Sequence, residues 1–428
     1  MANRSAGIVV AAFCTTLIAY AIRYGYGMLL PDMINSMGIS KTGAGTIYSS
    51  YFLSYTLFSP LLGWLSDRYN IRIIMTCFTL LLASGAFLMA YATSVFSASC
   101  FFVIAGIGHA ACWAPVMALV QRAVPDRKRG MALSITSMGS AVGIAGLSLV
   151  LPAVVSHYTW RGGWMVMGML GFCVSLLNGM LIQNLSQNKE STSEKQEKKD
   201  KEFNNSDSQT SPNKERSVAQ SEVRVTEEPY PIFMTYTLIM RNRALWFIGT
   251  SYLLVGFSVL VPYTFLSAYA TEQLNLSFAD ATSCFTIMAV AGIAGKLTLG
   301  YLSDIARRVY MMMICALLLG MGCLGIAVFE TVGMICISAT LFGFGFGAVW
   351  PIYAAAAPDF FPAELSGSVI GLWTGFMGVG SILSPTLCGW SIDKTDGYTM
   401  AFTMGTVCAV GAALFLLPVR QELSKSVK

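Results

Sequence analysis

Outside one stretch, this chain has few carboxylates. Of its 22 acidic residues, ten lie between Gln183 and Tyr230, and the others are thinly spread. Charged residues make up 11% of the 428 positions and apolar residues 55%, which excludes a soluble balance. Only two histidines occur, His109 and His157. The eleven cysteines stand singly: Cys14, Cys77, Cys100, Cys112, Cys173, Cys284, Cys315, Cys323, Cys336, Cys388 and Cys408. With no CxxC pair and no Cys/His cluster, a disulfide framework or structural metal site is not expected, and small apolar packing residues are the plain reading. No phosphate-binding loop, nucleophile–base pair or metal cluster appears either. An enzyme, an ATP-driven pump in this chain, and a resident cofactor are therefore all without support. The net charge of +5 is modest and carries no nucleic-acid signal.

What the chain does have is long apolar runs. A helix needs roughly 20 apolar residues to cross the hydrocarbon of a bilayer. Twelve segments qualify, at about 6–34, 44–66, 71–92, 96–121, 131–156, 162–183, 244–270, 278–302, 309–328, 331–356, 367–391 and 397–418. The first is too long, and followed by too many others, for a cleaved signal peptide. Arg68, Arg72, Arg122, Arg127, Lys128, Arg129, Arg307 and Arg308 fall in short loops on one side; Lys41, Arg161 and Lys394 fall on the other. The positive-inside rule makes the first side cytoplasmic, and with it both termini. Residues 184–230 are polar, mixed in charge and nearly free of apolar side chains, so they read as a disordered cytoplasmic linker. It separates a first half, 1–183, from a second, 231–428, which ends in a short cytoplasmic tail.

The halves repeat each other at an offset of 237. Gly63, Leu65, Ser66 and Asp67 recur as Gly300, Leu302, Ser303 and Asp304. Gly106, Gly108 and Trp113 recur as Gly343, Gly345 and Trp350; Pro125, Gly130 and Gly143 recur as Pro362, Gly367 and Gly380. The reading is an all-α membrane protein of twelve transmembrane helices in two pseudo-symmetric six-helix halves. Parallel membrane repeats are an architecture of secondary transporters, which place the solute between the halves near mid-bilayer.

The stretch Gly63-Trp-Leu-Ser-Asp67-Arg68-Tyr-Asn-Ile-Arg72 resembles the loop signature of the major facilitator superfamily, and the likeness extends over the whole chain. It implies a conformational latch. Gly63 would let helices approach closely, Asp67 would pair with a helix end or an arginine, and Arg68 and Arg72 would face the cytoplasm. The second copy, Gly300 to Arg308, has Ile305 where the first has Arg68, and its arginines move to Arg307 and Arg308. With Asp304 it forms a weaker latch. Plain topology-setting charge is the alternative.

Tyr20-Ala-Ile-Arg23 followed by Pro31, and the Trp113-Ala-Pro115 step, resemble the organophosphate:phosphate antiporters. That resemblance implies that Arg23 binds an anionic solute. Tyr20, Arg23, Tyr24 and Gly27 share one helix face by spacing. A cation that deep in a span is costly unless it meets a cavity or partner. The antiporters' second arginine, in the seventh helix, is absent here: Ser258 or Val259 stands near its place. Their basic residue in helix 2 and histidine in helix 5 are replaced near Ser59 and Ser140. Gly295-Lys296 through Asp304 is similar to the eighth helix of monocarboxylate and oxalate/formate transporters, which implies that Lys296 engages a carboxylate. Snorkelling to an interface is the alternative for both cations.

His109 is a candidate proton site, since its unperturbed pKa lies near neutrality; a packed, hydrogen-bonded histidine is the alternative. Tyr24, Trp113, Tyr252, Tyr263, Trp350, Tyr353 and Trp373 are candidates to line the cavity. The opening Met1-Ala-Asn-Arg-Ser-Ala-Gly-Ile-Val-Val and Tyr24-Gly-Tyr-Gly-Met-Leu-Leu-Pro31 also look like facilitator-type proteins of bacterial magnetosome membranes. That likeness implies iron delivery for biomineralisation and a magnetosome location in place of the inner membrane. A bare iron ion wants carboxylate or imidazole ligands that the span core lacks, so an anionic chelate would be the cargo. The expected partners are thus a small anion or chelate, a coupling proton and membrane lipid. A non-transporting sensor or assembly factor on the same fold stays open.

Overall fold

The computed structural model describes residues 2–182, 239–362 and 365–419, apart from the side chains of residues 2–4, 67, 126 and 127. The linker at 184–230, and the side chains of Asp67 and Arg127, lie outside that description. Twelve helices follow in order: α1 Ala2–Met37, α2 Lys41–Arg68, α3 Ile71–Met89, α4 Val95–His109, α5 Ala114–Ala123, α6 Asp126–Leu181, α7 Arg243–Glu272, α8 Phe278–Ile305, α9 Arg308–Val328, α10 Val332–Phe360, α11 Ser366–Thr395 and α12 Thr399–Phe415.

The number of spans matches the sequence, but their bounds differ in two places. The fourth span is broken between α4 and α5. Pro115 supplies no backbone donor to the first turn of α5, and Trp113 sits at φ −121, ψ −77, outside the helical region. The opposite happens in α6. Its 56 residues would reach about 84 Å if straight, far more than one bilayer crossing. It turns back at Thr159 (φ 59, ψ −178), where a β-branched residue takes a backbone conformation it rarely adopts. The return is tight: a Cβ on Gly163 would stand 3.1 Å from Leu151, twelve residues earlier. So α6 supplies the fifth and sixth spans. Ten described helices are long and apolar enough to cross a membrane. The hydroxyl-rich α2, 28 residues long, packs beside them against α4 and α11.

The sequence repeat is also a repeat of packing. Gly106 in α4 abuts the Tyr51 carbonyl of α2, and Gly343 in α10 abuts the Met288 carbonyl of α8. Gly108 meets Phe78 and Leu82 of α3, and Gly345 meets Cys315 and Leu319 of α9. Each partner is displaced by the same 237 positions as its glycine. Lipid offers no hydrophobic drive between helices, so small residues that admit a neighbouring backbone set which helices touch. The halves meet through α1 on α7, α2 on α11 and α6 on α8.

Those contacts are concentrated away from the arginine-rich loops. A Cβ at Gly45 would strike the Pro385 carbonyl, and one at Gly389 the Lys41 carbonyl. At the basic face the repeated Gly63 and Gly300 have nothing within 4 Å of a built Cβ. Gly63 therefore does not hold two helices together here, contrary to the expectation from its motif, because the helix ends are splayed apart on that face.

Candidate functional site

The splayed face opens into a cavity of about 620 Å³ between the halves. Its walls are aromatic and hydroxyl-bearing: Tyr20, Trp113, Tyr252, Tyr263, Trp350, Tyr353 and Trp373, with Gln121, Ser134, Ser137, Ser140 and Thr374. Lys296 is the one charged residue among those lining it. The local packing of α8 explains its direction. Gly292 and Gly295 lie against the α10 backbone at Gly343 and Phe344. The next residue, turned about 100° further round the helix, points off that contact and into the space between halves. The Lys296 ammonium donates to Ser137 Oγ of α6 at 2.7 Å, from one half to the other.

Arg23 is placed differently from the sequence expectation. It is 1% exposed and is not on the cavity wall. Its guanidinium carbon lies 4.4 Å from the centroid of Phe52, 5.3 Å from Tyr24, 5.4 Å from Tyr55 and 5.7 Å from Tyr20. Four ring systems thus surround a cation that pairs with no carboxylate among the described residues, and cation–π attraction offsets part of its desolvation. Tyr20, which does line the cavity, stands between it and the guanidinium. Tyr20 and Tyr24 turn ring faces towards Arg23, and the Tyr24 hydroxyl has no partner.

His109 belongs to this enclosed group as well. It closes α4 instead of lying mid-helix, and its ring packs 5.4 Å from Tyr20, 5.7 Å from Tyr51 and 5.2 Å from Tyr55. Neither ring nitrogen has a hydrogen-bond partner, and neither do Arg23 Nε or the hydroxyls of Tyr51 and Tyr263. Trp350 is on the open wall, 5.7 Å from Tyr252, with its indole N–H unpartnered. Of the candidate solute residues Arg23, Lys296, Tyr20, Tyr24, His109 and Trp350, the structure brings Lys296, Tyr20 and Trp350 to the cavity. It puts Arg23, Tyr24 and His109 one layer behind. The serines of α6 were missed as a set, although Ser134, Ser137 and Ser140 recur every three residues and so share a face.

The latch residues are dispersed in this state. The Arg68 guanidinium lies over the Trp64 ring at 4.7 Å, and Arg122 reaches the Ser66 carbonyl at 3.4 Å. Arg72, Asp304 and Arg307 are exposed. Arg308 pairs with Asp359 of α10 at 2.5 Å, not with Asp304, because α10 ends beside the start of α9 while Asp304 points to solvent.

The tightest polar contacts between halves are on the opposite face, where sequence reading saw only loop charge. Lys41 Nζ meets Glu272 of α7 at 2.5 Å, and Tyr398 donates to the same carboxylate at 2.8 Å. Asp393 of α11 accepts from the Lys41 and Thr42 backbone N–H groups at 2.9 and 2.8 Å. It thereby satisfies donors that the first turn of α2 leaves open. No group of three or more His, Cys, Asp or Glu among the described residues is placed to hold a metal ion.

Comparison with known proteins agrees with this architecture. The chain is 22% identical over 416 residues to monocarboxylate transporter 12 of Xenopus laevis, covering 96% of this chain and 87% of that one. It is 24% identical over 413 residues to the hexose-6-phosphate:phosphate antiporter of Salmonella typhimurium, covering 94% and 86%. The crystallised nucleoside transporter NupG has the same fold, with a TM-score of 0.74 at 11% identity over 96% of this chain and 99% of that one. The description of the Major Facilitator Superfamily matches residues 12–304 and again 248–428, and the chain belongs to that superfamily.

Proposed function

We propose that this protein moves a small organic anion across a bacterial inner membrane by alternating access, and that it stands here in the state open to the cytoplasm. The observation that carries this reading is a cavity between the halves, open at the basic face, with Lys296 as its one charged lining residue. A single half-buried ammonium facing aromatic walls, held only by a hydroxyl, attracts an anion and repels a cation. The relatives named above carry monocarboxylates or hexose phosphates, which are anions too. A bare iron ion fits poorly, since no carboxylate or imidazole lines the cavity.

The access cycle follows from the two faces. The inter-half contacts around Lys41, Glu272 and Asp393 close the far side. The basic side, with its arginines, faces the cytoplasm by the positive-inside rule. Rocking of residues 1–183 against 231–428, joined by 184–230, would bring Gly63 and Gly300 against neighbouring helices. Their lack of a side chain would then matter.

A thermal-shift screen of the purified protein against carboxylates, phosphate esters and ferric chelates tests the reading. A ligand that binds the native state raises its apparent stability with occupancy. At least one organic anion should stabilise the wild type and lose that effect in Lys296→Gln. Stabilisation by the same anion to the same extent in both proteins would contradict the reading.

A further inference from the structure

The chemistry of the cavity wall narrows the solute further, resting on the organic-anion reading. We propose that the solute is a hydroxylated monocarboxylate of sugar-acid type, bound by its carboxylate at Lys296, by its hydroxyls along the wall, and by its C–H face on the aromatic side chains.

The charge comes first. One ammonium lines the open cavity, and Arg23 is shut behind Tyr20. A dianion entering this space would meet one compensating charge among the lining side chains and leave its second charge without a protein partner. A monoanion is matched. Lys296 is already held in place by Ser137, so the incoming carboxylate meets a pre-oriented donor.

The rest of the wall then separates a polar body from an apolar one. The Trp350 indole N–H lies just under its surface without a partner. Gln121 and Ser134 also line it and make no side-chain hydrogen bond among the described residues. An aliphatic or plain aryl acid would displace water from the exposed Gln121 and Ser134 and return nothing, whereas a polyhydroxy body restores their hydrogen bonds. Sites with such groups discriminate strongly against analogues that leave them unpaired. The broad ring faces of Trp113 and Trp350 give the body's apolar C–H side a surface. A two-carbon acid would leave most of a 620 Å³ space untouched.

The test is calorimetric titration of the full-length protein in detergent with four probes of related size: glucuronate, glucose 6-phosphate, hexanoate and glucose. Glucuronate should bind about tenfold or more tightly than the other three. Trp350→Phe keeps an aromatic face, though a smaller one, and removes the N–H, and Gln121→Met keeps the length and removes the amide. Each should weaken glucuronate by about fivefold and leave hexanoate within about twofold, a split that loss of folding would not produce. Hexanoate or glucose 6-phosphate binding as tightly as glucuronate overturns this inference while the organic-anion reading stands. Glucose matching glucuronate, or silence towards all four probes, overturns both.

Discussion

At the scale of single residues, the two deep cations divide the work unequally. Sequence motif alone ranks Arg23 first, since it occupies the antiporters' anion position. The structure reverses that order for the state open to the basic face, because Arg23 is enclosed by Tyr20, Tyr24, Phe52 and Tyr55 while Lys296 lines the cavity. A hydrogen bond to a charged group contributes about 1.5–3 kcal/mol, or roughly 10- to 150-fold in affinity. Lys296→Gln should therefore weaken the solute by about tenfold or more in calorimetric titration, and Arg23→Gln by less than about threefold. Equal losses would show that the two cations share one site. Glycines separate in the same way. Gly106→Ala forces a Cβ into the Tyr51 carbonyl and should cost about 1–3 kcal/mol, visible as a lower midpoint in thermal melting. Gly63→Ala meets nothing in this state and should leave the midpoint unchanged or slightly raised. A matched drop at Gly63 would mean that the splayed face is closed in solution.

At the scale of elements, the lesson concerns helix ends. The repeat at 237 positions exposed which helices correspond, and its glycines mark the α2–α4, α3–α4, α8–α10 and α9–α10 contacts. Periodicity could not say which face of α1 holds the cavity, because α1 is apolar nearly all round and buried between neighbours. Nor could it show the closed face. Lys41 lies 231 positions from Glu272 and 352 from Asp393, at loop ends where charge is expected anyway. The partly exposed Lys41–Glu272 pair contributes about 1 kcal/mol or less after screening, and the Asp393 cap on α2 about 1 kcal/mol. Together they bias access by roughly tenfold. Lys41→Gln with Asp393→Asn should then open that face more often. A cysteine at Ala270, fully buried at the closed end of α7, would report this in a cysteine-depleted background. It should react several times faster with a membrane-impermeant maleimide in the double variant. An unchanged rate would mean that helix packing alone closes the face.

At the scale of the whole molecule, two halves of one plan enclose one cavity with unlike walls. The twelve spans, the pseudo-symmetry and the superfamily were legible in hydropathy and repeated glycines, since lipid makes those patterns obligatory. The division between open wall and closed chamber was not. It depends on how far the halves are rotated, and one sequence serves every rotation. Even the break at Trp113 and the turn at Thr159 are consequences of packing that hydropathy averages away. The most direct test is flux. The organic anion that binds best should be loaded into proteoliposomes, and its counterflow followed in wild type and Lys296→Gln at matched insertion. Wild type should show saturable exchange, and the variant should retain less than about a tenth of it. Equal saturable exchange in both, or none in the wild type with an anion that demonstrably binds, would contradict transport of an anion through the Lys296 cavity.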